Sequence, residues 1–136
     1  MSTISPNSAL VYTMVIVSAS DCEMTDSEMK RIGDVVRILP AFKGYDEENI
    51  MRDARNCAAI LSEDDGLEAV LGLIKEALPS THLDTAYALA CEIALADSKV
   101  AQEELRMLQI IRKNLGIDNL TTAAIDRAAT ARARSF

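Results

Sequence analysis

Two stretches of this sequence share one pattern, SASDCEMTDSEM at residues 18–29 and ALADSKVAQEEL at residues 94–105. Their offset is 76 residues, and apolar positions recur at that offset although few residues are identical. A repeat of pattern without close identity is typical of a duplicated structural unit. Each copy reads as an apolar helix, a short acidic loop and an amphipathic helix. We therefore predict two helical hairpins, at residues 10–39 and 86–115, that superpose about a pseudo-twofold axis.

The composition favours packed helices over sheets. The chain has 136 residues, which suits one domain spanning residues 1–136. Hydrophobic residues make up 49% of it, aromatic residues only 4%, and Trp is absent. The apolar mass is carried largely by residue types that favour helices. Five Gly and three Pro are too few for a turn-rich β fold. We predict an all-α bundle of about seven helices, built from the two hairpins and two helices between them.

Local signals place the ends of several helices. Ser5 precedes Pro6, a combination typical of a helix start. Thr25 and Glu28 have the spacing of a capping box that opens the second helix. Gly116 is expected to close the sixth helix in a left-handed conformation. The first five helices are predicted at about residues 6–20, 25–39, 46–61, 67–78 and 81–96, and the seventh from residue 118.

The charge and the cysteines exclude several classes of function. The net charge of −7 argues against nucleic acid as a partner, because phosphate binding needs a basic surface. It suits cations or basic protein surfaces. Cys22, Cys57 and Cys91 lie far apart, and the single histidine, His82, does not complete a zinc site. We predict reduced thiols in a reducing compartment, two of them packed in the core.

The apolar run at residues 9–17 is predicted to be a buried helix. No Lys or Arg precedes it, so it lacks the basic region of a signal peptide. It is also shorter than the roughly 20 apolar residues that a helix needs to cross a bilayer. We therefore expect no transmembrane segment and a cytoplasmic protein.

The two acidic loops hold the candidate metal ligands. Asp21 and Asp97 directly follow apolar helices, and the helical spacing turns both toward the core. Glu28 and Glu104 lie seven residues further on, so a helix–loop–helix bend could bring each Asp close to its Glu. Carboxylates held close repel each other unless a proton, a basic group or a cation lies between them. Hard divalent cations prefer such oxygen ligands. We therefore predict that these four residues converge, in one cluster or in two neighbouring ones, and bind a divalent metal ion.

A structural role for the same residues stays open. The capping box with Thr25 accounts for Glu28, and the two aspartates could bond backbone N–H groups ahead of the next helix. In the second copy Ala101 stands where Thr25 stands in the first, so a capping box does not account for Glu104. This difference favours a role beyond capping. Neither loop has the pattern of an EF-hand.

The duplicated arrangement, with ALACEIALAD at residues 88–97 before the second loop, resembles the TerB family of tellurite-resistance proteins. The same domain type occurs at the start of DjlA-like co-chaperones. The resemblance spans residues 6–120. It implies an all-helical fold of two repeated halves, an acidic metal-binding cluster, and a place in bacterial stress-response systems near the inner membrane, with a protein partner.

The resemblance assigns the metal-binding cluster to Asp21, Glu28, Asp97 and Glu104. The family usually has Gly after each aspartate, whereas Cys22 and Ser98 stand there in this sequence. If that Gly frees the loop backbone to wrap an ion, this chain would bind a metal weakly or not at all.

Two further features allow structural predictions. Glu92 lies within a very apolar helix, where it either pairs with an arginine such as Arg37 or Arg112 or joins the acidic site, and we favour the pairing. Three arginines near the end of the last helix are expected to match its dipole: Arg127, Arg132 and Arg134.

The sequence contains no recognisable catalytic constellation, nucleotide-binding motif or phosphate loop, so we expect no enzyme activity. Three hypotheses follow. The first is a metal-responsive stress module of the TerB type. The second is a helical interaction module whose acidic residues are structural. The third is a metal-dependent enzyme that uses the paired carboxylates, which the absence of other catalytic residues disfavours.

Overall fold

The computed structural model describes residues 3–20, 25–96, 100 and 102–136. The α-helices in this part of the chain are α1 (Pro6–Ser18), α2 (Asp26–Ile38), α3 (Asn49–Leu61), α4 (Gly66–Ala77), α5 (Leu83–Ala94), α6 (Gln102–Leu115) and α7 (Asn119–Ala133). Short 3-10 turns, Pro40–Phe42 and Ser80–His82, follow α2 and precede α5. The described residues contain no strand. The predicted all-α fold of seven helices is confirmed.

α1 lies at the centre of the bundle because it is apolar on all sides. Every residue from 8 to 18 is buried, and the helix contacts α2, α3, α4, α5 and α6. Two of these buried residues, Thr13 and Ser18, are polar. Their hydroxyls donate to carbonyl oxygens four residues earlier, at 2.8 and 3.1 Å. These bonds satisfy the two hydroxyls within the helix, so they enter the core without a large desolvation cost.

The amphipathic helix of each predicted hairpin folds back along its apolar helix. The side-chain amide of Asn7, at the start of α1, donates to the carbonyl of Ala41 just after α2, at 2.7 Å. A cleft of about 200 Å³ is lined by Leu83 at the start of α5 and by Leu115 at the end of α6. Both helix pairs are therefore antiparallel. Their superposition about a pseudo-twofold axis stays a prediction.

Helix caps agree with the sequence where the signal is local. The Ser5 hydroxyl accepts the N–H of Ser8 at 3.1 Å and caps α1. Gly116 ends α6 with a φ of +69°, a conformation that a side chain would strain. The Asp118 carboxylate accepts the N–H of Thr121 at 3.1 Å and caps α7. The helix start predicted at Ser5, the left-handed Gly116 and the helix start predicted at residue 118 are confirmed.

Several helix ends differ from the prediction. α3 begins at Asn49 and not near residue 46, because residues 46–50 form successive turns in which Asn49 N–H donates to the Asp46 carbonyl at 2.8 Å. α5 begins at Leu83, since residues 80–82 form a 3-10 turn without a side-chain cap. α1 and α5 each end two residues before the predicted position, at Ser18 and Ala94. Differences of this size are common at fraying helix ends.

The turn between α3 and α4 requires a glycine. Asp65 takes a left-handed φ of +57°, and Gly66 follows it as the first residue of α4. A Cβ atom at Gly66 would lie 2.2 Å from the carbonyl oxygen of Ile60, so any side chain would displace backbone. A side chain at position 66 would therefore disturb the turn from α3 into α4.

A buried polar cluster ties α1 to α3. Asp53 is only 3% exposed, and its Oδ2 atom accepts the hydroxyl of Ser8 at 2.9 Å and that of Tyr45 at 2.6 Å. Arg52 approaches the Oδ1 atom at 3.3 Å from the solvent side, where its own side chain is 56% exposed. A buried carboxylate with this many partners is well compensated for the loss of water.

Candidate functional site

The helix ends that flank the two acidic loops lie at the same end of the bundle. Arg31, five residues into α2, binds Glu92, two residues before the end of α5, at 2.7 Å. α2 and α5 therefore lie antiparallel, with the start of α2 beside the end of α5. Because α6 folds back along α5, its start lies at this end too. We call it the loop end of the bundle: the last turns of α1 and α5 and the first turns of α2 and α6.

Glu28 is buried at the loop end. It is the third residue of α2, and only 1% of its surface is exposed. Its Oε1 atom accepts the backbone N–H of Thr25 at 3.0 Å, while the Glu28 N–H donates to the Thr25 hydroxyl at 3.1 Å. The predicted capping box is confirmed. It gives Glu28 a structural role, whatever else the carboxylate does.

Glu104 occupies the matching position in the second copy. It is the third residue of α6 and is 3% exposed. Carboxylates are rarely this buried unless they are paired or coordinate a metal. The sequence pattern therefore places two glutamates at equivalent helix positions, and the structure buries both at the same end of the bundle.

The two aspartates of the predicted site, Asp21 and Asp97, lie outside the described residues. Their convergence with Glu28 and Glu104 stays a prediction. Within residues 3–20, 25–96, 100 and 102–136, no three His, Cys, Asp or Glu side chains lie close enough together to hold a metal ion. A metal site at the loop end would thus need ligands from the loops themselves.

Glu92 joins three helices at the loop end. Its carboxylate binds Arg31 of α2 through Oε2 and Arg132 of α7 through Oε1, each at 2.7 Å. The Glu92 side chain is 17% exposed, whereas those of Arg31 and Arg132 are 41% and 75% exposed. The predicted pairing with arginine is confirmed, but the two arginines suggested for it are wrong. Arg37 instead binds Asp34 and Glu47 on the surface.

Replacing Glu92 with glutamine should lower the free energy of unfolding by roughly 1–3 kcal/mol, because two charge-assisted bonds in a half-desolvated place are weakened together. Urea denaturation followed by circular dichroism measures this change. Glu47→Gln is the matched control, since the Glu47 and Arg37 side chains are both half exposed. Glu47→Gln should change the free energy of unfolding little, and even that small change should disappear in high salt. Equal effects of the two substitutions would contradict the assigned role of Glu92.

The two described cysteines are inert core residues. Cys57 and Cys91 are buried free thiols, so the prediction that two cysteines pack in the core is confirmed. Burial, reinforced by Asp53, raises the pKa of Cys57 to about 12. Burial also raises the pKa of Cys91 to about 12, with Asp126 adding to the effect and a hydrogen bond from Tyr87 opposing it. Neither thiol has the lowered pKa that nucleophilic chemistry needs.

Sequence reasoning missed the cluster around Tyr87. The Tyr87 hydroxyl donates to the Oδ1 atom of Asp126 at 2.7 Å and holds α7 on α5. Tyr87 lies four residues after Leu83, on the same stripe of α5, but nothing in the sequence indicates its partner. α7 otherwise packs by few side chains, with Thr122 buried and Ile125 and Ala129 partly buried.

The comparison with known families supplies the deciding observation. The family model of the tellurite resistance protein TerB matches residues 7–127, which is most of the chain. The chain belongs to the TerB family. The matched segment of this TerB-family chain runs from α1 into α7 and includes all four predicted metal ligands. No curated protein and no solved structure matched the chain significantly.

None of the helices in the described residues is both long and apolar enough to cross a membrane. This agrees with the expected lack of a transmembrane segment in that part of the TerB-family chain. The longest, α7, has 15 residues and is largely exposed.

Proposed function

We propose that this TerB-family chain is a non-enzymatic module of a bacterial stress response of the tellurite-resistance type. In this proposal it binds a divalent metal ion through Asp21, Glu28, Asp97 and Glu104. It works in the cytoplasm, at the periphery of the inner membrane, and acts through a protein partner. The acidic net charge of −7 suits a cation and a basic protein surface, and does not suit nucleic acid.

One observation carries the metal proposal. Glu28 and Glu104, each the third residue of its helix, are buried at the loop end of the bundle. The two glutamates share this position and this burial although different residues precede them at the capping position, Thr25 in the first copy and Ala101 in the second. A cation shared with Asp21 and Asp97 would bind both carboxylates in the same way.

The chemistry of the four residues favours a hard cation. They offer only carboxylate oxygens, which suit Ca²⁺, Mg²⁺ or Mn²⁺ better than Zn²⁺, whose protein sites are usually rich in His and Cys. Four carboxylates would exceed the charge of a divalent ion, so the apo cluster would repel itself and the bound ion would relieve that repulsion.

Thermal melting at neutral pH tests the proposal. Adding Ca²⁺, Mg²⁺ or Mn²⁺ to chelator-treated protein should raise the melting temperature by several degrees, because a ligand at about 100 times its Kd adds about 2.7 kcal/mol of stability. Asp21→Asn and Asp97→Asn should abolish the shift. Asp64→Asn, in the exposed turn between α3 and α4, is the matched control and should keep it.

One outcome would contradict metal binding. If no cation changes the melting temperature of the wild type, appreciable binding is ruled out under those conditions. If, in addition, Asp21→Asn and Asp97→Asn destabilise the protein, the aspartates act as caps. The second candidate function is then favoured, a helical interaction module with structural acidic residues, and the Thr25–Glu28 capping box already supports it.

A further inference from the structure

A groove between α2 and α5 lies outside the proposed metal site. Its volume is about 470 Å³, and its apolar lining comprises Val35, Ile38, Leu39, Ala88 and Leu89. Arg31, Glu92 and Arg132 close one end of it. Because Arg31 faces Glu92 there, the antiparallel helices place Ile38 and Leu39 at the opposite end, near Thr85.

Ile38 projects from the rim of this groove. It is the last residue of α2, and 78% of its surface is exposed. Pro40 follows two residues later and starts a 3-10 turn, so the chain bends away and leaves the side chain uncovered. One face of the molecule therefore carries an apolar protrusion and an apolar groove side by side. Exposed apolar surfaces of this kind usually mark an interaction site.

The charges that line the groove sum to zero, because Arg31 and Arg132 balance Asp34 and Glu92. All four are paired: Arg31 and Arg132 bind Glu92, and Asp34 binds Arg37 beside the groove. The chain as a whole has a net charge of −7, so that excess lies elsewhere. A basic partner would be drawn to the acidic surfaces and not to this face.

We infer that the occupant of the groove is a second copy of this chain. A twofold dimer buries the same patch on both subunits, so the patch must complement itself. This face does so, because Ile38 of each copy can enter the groove of the other. Its paired charges let two acidic molecules approach without repulsion at the contact. The inference is independent of the proposed metal binding.

Sedimentation equilibrium in the presence of a chelator tests the dimer. The mass should rise from that of the 14.8 kDa chain toward twice that value as the concentration passes about 100 μM. Ile38→Ser should weaken association by roughly a hundredfold, since symmetry removes two buried isoleucines at once. Ala88→Glu, which charges the floor of the groove, should do the same.

Leu120→Ser is the matched control, because Leu120 is 81% exposed on α7 and does not line the groove. It should leave the dimer intact. Circular dichroism melts establish that all three variants fold. A wild type that stays monomeric at about 1 mM would overturn the inference and leave the groove to a foreign helix. A dimer that Leu120→Ser weakens and Ile38→Ser does not would also overturn it.

Discussion

Replacing Asp53 with alanine is expected to lower the free energy of unfolding by about 2–5 kcal/mol, because the hydroxyls of Ser8 and Tyr45 would lose their acceptor. Ser8 is buried and Tyr45 partly buried, so neither hydroxyl gains full access to water in exchange. An unsatisfied buried donor costs more than the net value of the bond that it loses. The loss is large compared with the free energy of unfolding of a whole domain, which is typically about 5–15 kcal/mol.

Urea denaturation of four variants separates the parts of this effect. Tyr45→Phe and Ser8→Ala each remove one donor and leave the carboxylate in place, so each should cost less than Asp53→Ala. Asp64→Ala alters an exposed turn and serves as the control. If Asp53→Ala destabilises the protein no more than Asp64→Ala does, the cluster does not hold α1 against α3.

The sequence contained a signal for this cluster. Asp53 lies three residues after Ile50 and four before Cys57, so it falls on the buried stripe of α3. Ala54, the next residue along the chain, is only partly buried. A charged residue on an apolar stripe indicates a buried carboxylate with partners. The identity of those partners depends on how α1 and the segment before α3 pack, and periodicity carries no information on that.

Features that depend on nearby residues could be predicted well. The caps at Ser5, Thr25, Gly116 and Asp118 all follow from bonds or conformations within about four residues. The central position of α1 follows from its uniform apolarity. Helix starts near residues 46 and 80 were less accurate, because short turns compete there with the first turn of a helix.

Pairing across the bundle could be predicted in kind but not in detail. Glu92 was expected to bind an arginine because it interrupts an apolar helix. Its partners, Arg31 and Arg132, lie 61 residues before it and 40 residues after it in the sequence. Which arginine reaches it depends on the register in which α2 and α7 pack on α5. That register is set by the fit of many side chains, which spacing along one helix does not contain.

The candidate site, too, could be predicted from the sequence only in part. The repeat predicted that Glu28 and Glu104 occupy equivalent positions, and the structure shows both as the third residue of a helix, buried at one end of the bundle. Whether Asp21 and Asp97 meet them depends on loop conformation. Loop conformation depends on backbone detail that the spacing of apolar residues does not contain.

Raising the pH above 9 is expected to destabilise the protein steeply, because two buried thiols resist ionisation only while the chain is folded. Burial raises the pKa of Cys57 and that of Cys91 from 9.0 to about 12. The pKa values of Tyr45 and Tyr87 are also raised above their ordinary value of 10.0. Burial is the largest cause, and the second is a hydrogen bond, to Asp53 for Tyr45 and to Asp126 for Tyr87.

The sign of the pH effect follows from proton binding. Below pH 9 the thiols are protonated in the folded and the unfolded chain alike, so their contribution to stability is fully present. Between pH 9 and about 12 the unfolded chain releases protons that the folded chain retains, and stability falls. Each thiol should contribute a slope of about 1.4 kcal/mol per pH unit within this window.

The Cys57→Ala variant isolates one thiol from the other alkaline titrations. Its stability is expected to be lower at neutral pH, because removing the sulfur leaves a small cavity in the core. That cost does not depend on pH, so it shifts the whole curve without changing its slope. Urea denaturation at several pH values between 8 and 11 should therefore give a slope shallower than wild type by about 1.4 kcal/mol per pH unit. Parallel curves for the two proteins would show that Cys57 titrates alike in the folded and unfolded chain, against its burial beside Asp53.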